Sequence, residues 1–191
     1  MSAIWLVRAG RNAVYVDRFL DQGVICIGMS QYVGAEALGD SRRALLERTA
    51  QAHPDWNRHR AANHAGQLFR FLSEIQIGDE VATYDPGLRR YLLGVVTSAA
   101  EYDPELLEDL PYVRRVTWNR RISRDSLSIS TLNSLGAIQT IFRLNREAST
   151  ELQKAAIPLD APDATPPPRP TDDPRAWLAD TSQASLRALA T

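Results

Sequence analysis

The stretch from Asn63 to Ser98, NHAGQLFRFLSEIQIGDEVATYDPGLRRYLLGVVTS, constrains the fold more than any other. Ala61, Ala65, Leu68, Leu72 and Ile75 recur at helical spacing, so one face of a helix is built to be buried. Gly78-Asp79 stops it with a turn that a positive-φ residue and an Asx side chain favour. Glu80–Tyr84 then alternates as a half-buried strand does, and Asp85-Pro86-Gly87 reverses the chain. On the return, Tyr91, Leu93 and Val95 share one side, and Leu92, Gly94 and Val96 the other. A glycine inside that strand predicts a bulge or a close backbone approach, the usual way a small barrel bends. Helix, turn and hairpin in succession predict an α+β domain.

Around this unit, Ile4–Arg8 reads as a first strand, with Ile4, Leu6 and Arg8 facing one way and Trp5 and Val7 the other. A loop over Ala9–Asn12, a short helix over Tyr15–Leu20 and an apolar strand over Val24–Met29 follow. Asp40 or Ser41 caps a helix through residue 52, which pairs with a helix over Arg58–Ile75. Arg114, Val116 and Trp118 lie on one face of a later strand, and Arg115, Thr117 and Asn119 on the other. Ser126–Ser134 is polar and helix-like, and Ala137–Leu144 is read as a last strand that closes the barrel. The sequence PLDAPDATPPPRPTDDP favours an extended form without a core, so residues 151–175 are expected to be a proline-rich acidic linker. Residues 176–191 are expected to form a C-terminal helix, or the start of an effector domain.

Charge and cysteine usage narrow the function classes. From Glu147 onward seven acids face four bases, which leaves residues 1–146 with 16 acids and 18 bases beneath an overall net charge of -1. All but one of the bases are arginine, Lys154 being the exception; arginine forks suit phosphate, and a GC-rich genome produces the same bias. One cysteine, Cys26, in an apolar run excludes a disulfide framework and fits a reducing, cytoplasmic compartment. Apolar runs all fall well short of the roughly 20 residues of a membrane-spanning helix. His53, His59 and His64 lack the i, i+4 spacing of a helical zinc site, so neither metal nor cofactor is expected. The sequence holds no GxSxG elbow, Walker loop or HExxH, and Glu151-Leu152-Gln153-Lys154 has one residue too many for a nuclease E-x-K strand.

Six motifs in order, IWLVRAG, GVICIGM, QIGDEVATYDP, YLLGVVTSAAEYDPE, YVRRVTWN and NSLGAIQTIFRL, resemble the PUA-like superfamily over roughly residues 3–146. Within it the chain is most similar to EVE-like domains found ahead of Mrr-type restriction endonuclease modules, and more distantly to YTH, ASCH and SRA readers of modified bases. The resemblance implies a small bent barrel over residues 1–150 that reads a modified base without catalysis. Such readers hold a base flipped from the stack between aromatic or apolar walls.

Carried onto this sequence, the walls are Trp5, Met29, Tyr84 and Trp118, Met29 standing where many relatives have tryptophan. Edge-reading groups are Ser30, Asn63, Gln67, Thr83 and Asp85. Arg8, Arg11, Arg114, Arg115, Arg120 and Arg121 are the phosphate candidates, with Trp118 amid the last four as a ring to stack on a base. Each has a structural alternative: core packing for the tryptophans and Met29, capping or surface placement for Asn63 and Gln67, an Asx turn for Asp85, a solvated edge for the arginines. The implied ligand is duplex DNA carrying 5-methylcytosine or 5-hydroxymethylcytosine, and the implied partner a restriction endonuclease effector. RNA with methylated adenine is one alternative; a small-molecule sensor or subunit-docking domain is another.

Overall fold

Four side chains start four helices by accepting a backbone N–H three residues on: Ser41 from Ala44 at 3.2 Å, Asn57 from Arg60 at 2.8 Å, Ser128 from Thr131 at 3.2 Å and Asn145 from Ala148 at 2.8 Å. In the computed structural model, which describes residues 4–28, 34–107 and 109–162, the order is β1 (Ile4–Val7), α1 (Val16–Gln22), β2 (Val24–Ile27), α2 (Arg42–Ala52) and α3 (Arg58–Phe69). Then come β3 (Glu80–Asp85), β4 (Arg90–Val96), β5 (Glu101–Tyr102) and β6 (Tyr112–Ser123). The described chain ends with α4 (Ile129–Leu135), β7 (Ile141–Arg143), α5 (Arg146–Ala155) and β8 (Ile157–Pro158).

The strands form one mixed, curled sheet in the order β2-β6-β4-β3-β1-β7, with β5 and β8 also paired to β6. Only β1 and β3 run parallel. Helices cover both faces. Val16 and Phe19 of α1, Leu45 of α2, and Ala65 and Leu68 of α3 pack with Trp5, Val7, Val81, Leu92, Val116 and Trp118 on one side. Leu135 of α4 and Leu152 of α5 pack with Ile4, Leu6, Ala82, Tyr91, Leu93 and Ile122 on the other. Alternation along β1 is thus as expected, but all four residues are buried because each face has its own core. For the same reason β3 is buried on both sides rather than half-buried.

The expected bulge is present. Leu93 pairs with Arg120 and Gly94 with Trp118, so Asn119 is the extra residue. A Cβ on Gly94 would stand 2.6 Å from Val116 Cγ1 and 2.7 Å from the Thr117 carbonyl oxygen, which explains the glycine. The bulge also reverses the parity of β6, sending Trp118 to one core and Ile122 to the other.

One expectation is met in part and one is corrected. The sheet curls as a half-barrel, compatible with the small barrel expected, and among the described residues β2 pairs with β6 alone and β7 with β1 alone. Gln67 explains one open edge, since its amide oxygen accepts from the N–H groups of Thr140 at 2.8 Å and Ile141 at 3.4 Å and caps the edge from α3. The folded unit also runs past residue 150, to Ala161. Leu152 is fully buried, Gln153 donates to Glu80, and β8 pairs with β6, so the first part of the expected linker is core and sheet. The rest of that linker, from residue 163, and the expected C-terminal helix lie outside the described residues.

Candidate nucleic-acid interface

The parallel pairing of β1 and β3 brings their C-terminal ends side by side, and the loops that leave them form a cleft. Arg8, Gly10, Arg11, Asn12 and Ala13 line it from the first strand, Tyr84 and Pro86 from the third, around a volume of about 450 Å³. That lies within the ~300–1,000 Å³ of small-ligand pockets. Local sequence shapes both walls. Gly10, at φ 76° and ψ -175°, takes a conformation closed to side chains, and a Cβ there would meet the Tyr15 ring at 2.6 Å. Asn12 (φ 55°) and Ala13 (φ 57°) follow in the left-handed region, which for an alanine costs on the order of 1 kcal/mol. The opposite wall is a rigid turn in which the buried Asp85 carboxylate accepts from Leu88 N–H at 3.2 Å and from Arg90 Nε at 3.0 Å. Arg89 completes it at φ 48°.

The electrostatics are basic and aromatic. Tyr84 packs on Tyr91 with ring centroids 4.8 Å apart. Burial pushes the Tyr91 phenol up and Tyr84 adds to this, while Arg124 and Arg8 pull it down. Arg89 sits within electrostatic reach of Tyr84 and bonds Asp125 at 2.5 Å, both partners being exposed. Five arginines, 8, 11, 89, 90 and 124, therefore stand against Asp85 and Asp125 around the two tyrosines. Val14 and Leu88 are exposed apolar side chains next in sequence to the lining loops. Such a cleft can hold an anion at its rim and a planar ring against Tyr84.

The structure divides the predicted residues. Arg8, Arg11 and Tyr84 come together in the cleft. The other described walls do not join them: Trp5 and Trp118 pack in the core on the α1–α3 face, whereas Tyr84 packs against the α4–α5 side. Trp5 donates its indole N–H to Asp79 at 3.1 Å, and Trp118 donates to the Phe19 carbonyl at 2.8 Å. A cage of all the named aromatics does not form, because alternation on β1, β3 and β6 sends them to opposite faces.

Asp85 and Gln67 are occupied with the turn and the sheet edge. Thr83 is buried on the face opposite Tyr84, its hydroxyl without a partner among the described residues, and Asn63 is exposed on α3. Met29 and Ser30 lie outside the described residues.

The basic segment on β6 is no single groove either. Arg114 is 3% exposed and donates to the carbonyls of Phe71 at 2.7 Å, Leu72 at 2.9 Å and Ser98 at 3.1 Å. Burial brings its guanidinium down to about 10. Arg120 bonds Glu80, Arg121 bonds the Ala161 carbonyl at 2.8 Å, and Arg115 is partly buried opposite Val24 of β2. Arg8 likewise donates to the carbonyls of Leu135, Ala137 and Gln139, so only part of its charge faces the cleft.

Asn12, which lines the cleft, and Tyr91 and Arg89, which stand against Tyr84, are residues that sequence reasoning missed. The hairpin register pairs Tyr84 with Tyr91, which counting outward from the DPG turn reveals; the left-handed residues leave no such trace. Cys26 is fully buried and its thiol is pushed up to about 12 by burial, so it stays protonated in the core. No group of three or more histidine, cysteine or carboxylate side chains converges on a metal-sized site among the described residues, and no helix of those residues is long and apolar enough to cross a membrane.

Fold and site together define an α+β domain with an aromatic, arginine-rimmed cleft at the ends of two parallel strands. The chain belongs to a domain family of unknown function, DUF8426, whose model matches residues 5–145. Neither a curated protein nor a solved structure matches it.

Proposed function

We propose that this domain is a non-catalytic reader of nucleic acid, with a PUA-like fold, that takes one base flipped from duplex DNA into the Arg8–Tyr84 cleft. The preferred base is 5-methylcytosine or 5-hydroxymethylcytosine, and the output is delivered through a restriction endonuclease module on the same polypeptide or a partner. One observation carries the reading: a tyrosine ring, an asparagine amide and an exposed arginine line the same cleft. Tyr84, held by Tyr91, is the wall on which the base stacks. The Asn12 amide offers a donor and an acceptor to the base edge. Arg11 holds the flanking phosphate, and Arg89 and Arg124 extend the positive field. Val14 and Leu88 supply apolar contact to the opened duplex at the rim.

The test is affinity of the full chain for one duplex carrying cytosine, 5-methylcytosine, 5-hydroxymethylcytosine or methylated adenine at a single site, at two salt concentrations. One modified cytosine is preferred, and Tyr84→Ala removes the preference with a loss on the order of tenfold or more, as for a stacked base. Arg11→Ala weakens all four duplexes alike and lowers the salt slope by about one. Equal binding to all four would reduce the cleft to a phosphate site. Salt-independent binding or none defeats the reading in favour of a sensor or docking role, and displacement of the modified duplex by single-stranded RNA carrying methylated adenine moves it to the RNA-reader class.

A further inference from the structure

A second cleft, of about 570 Å³, is lined by Trp5, Arg70, Glu74, Gln139, Phe142 and Arg143. Its two sides are the π-helical turn Arg70–Glu74 that ends α3 and the edge strand β7. Such turns are uncommon and are found frequently at functional sites. Trp5, 5% exposed and tied to Asp79, lines it on the same face as its strand partner Arg143, whereas the side chain of Phe142 packs with the Ile4–Leu6 core on the opposite face.

Arg70, Glu74 and Arg143 make no side-chain hydrogen bond or ion pair with any described residue, although Arg70 and Glu74 are four apart on one turn. This contrasts with Arg89, Arg90, Arg114 and Arg120, all of which have partners.

Arg8 and Gln139 link the two clefts. Arg8 lines the first, its Nε donates to the Gln139 carbonyl at 3.1 Å, and Gln139 lines the second. Trp5 and Arg8 lie three residues apart with side chains on opposite faces, so the clefts meet at the sheet edge beside Gln139, with a backbone separation on the order of 10 Å, or roughly three 3.4 Å steps of a stacked strand. A strand that leaves a base in the first cleft reaches the second within a few nucleotides.

We propose that the second cleft is a subsite for the flanking nucleotides of the same strand. Arg70 and Arg143 hold its phosphates. This rests on the reading of the first cleft as the base site. Glu74 restricts what enters, since a carboxylate repels phosphate and accepts only from a donor edge such as a cytosine or guanine amino group.

The experiment measures the salt dependence of binding for the full chain and for Arg70→Gln/Arg143→Gln, on the duplex preferred by the wild type and on one trimmed to a single base pair beyond the modified base on either side in turn. Thermal melting of the variant beside wild type checks that both are folded. The variant is expected to bind the long duplex with a log–log salt slope shallower by up to about two, near 0.9 per lost phosphate contact. Its preference for the modified base stays unchanged, and trimming one flank brings wild type down to the variant. An unchanged slope and affinity overturns the second cleft while Tyr84→Ala still abolishes preference. Retention of preference by Tyr84→Ala overturns the base site itself, and absence of nucleic-acid binding by wild type overturns both.

Discussion

Arg114 shows how far a residue's type can mislead about its task. In sequence it stands among arginines around a tryptophan, the pattern of a phosphate groove; in the fold it holds together the end of α3 and the chain after β4. Its three carbonyl acceptors come from residues 16 to 43 positions away, and no local pattern records them. Replacing it by methionine keeps the bulk but leaves those carbonyls without their cation, at a cost of about 3 kcal/mol. Urea unfolding of Arg114→Met measures this, and a loss below about 0.5 kcal/mol would contradict the structural role. Nucleic-acid affinity per folded molecule is expected to be unchanged. Trp5, Trp118, Gln67 and Asp85 are similar cases, each with its polar group already bonded within the fold. Arg11 and Tyr84 differ in lining a cleft at loop ends, where packing does not use them up.

At the scale of elements, β6 rather than the hairpin proves to be the spine, since it pairs with β2, β4, β5 and β8. The bulge opposite Gly94 lets one twelve-residue strand serve two cores, because one extra residue shifts all later side chains to the other face. Gly94→Ala therefore forces a methyl against a backbone oxygen that cannot move without disturbing the ladder, and is expected to lower stability by about 2 kcal/mol. A shift of the urea midpoint at constant m would report it; a midpoint equal to wild type would mean that the strands separate freely here. Gly94 was legible as a bulge because a glycine within an alternating strand gives up side-chain packing, a loss that close backbone approach offsets. The partner carrying the extra residue was not, since register between β4 and β6 depends on pairs far apart in sequence, such as Leu93 with Arg120.

For the whole molecule, two cores on one curled sheet require both helical layers. A chain ending at Thr150 lacks the buried Leu152, the Gln153–Glu80 bond and β8, and is expected to lose cooperative thermal unfolding. A chain ending at Ala161 keeps it; circular dichroism melts of the two compare them, and equal transitions would return the domain boundary to residue 150. The boundary was hard to read because α5 is mainly polar and prolines begin directly after it, so composition changes before the fold does.

By itself the sequence determined the α+β class, most helix and strand positions, the cap at Ser41 and the bulge, because periodicity, turn chemistry and glycine act over a few residues. Only the tertiary structure decided how far the sheet curls, which arginines are already bonded, and that Arg11 meets Tyr84. Those outcomes depend on which distant segments compete for the same carbonyls, edges and faces, and that competition is settled by packing across the whole chain.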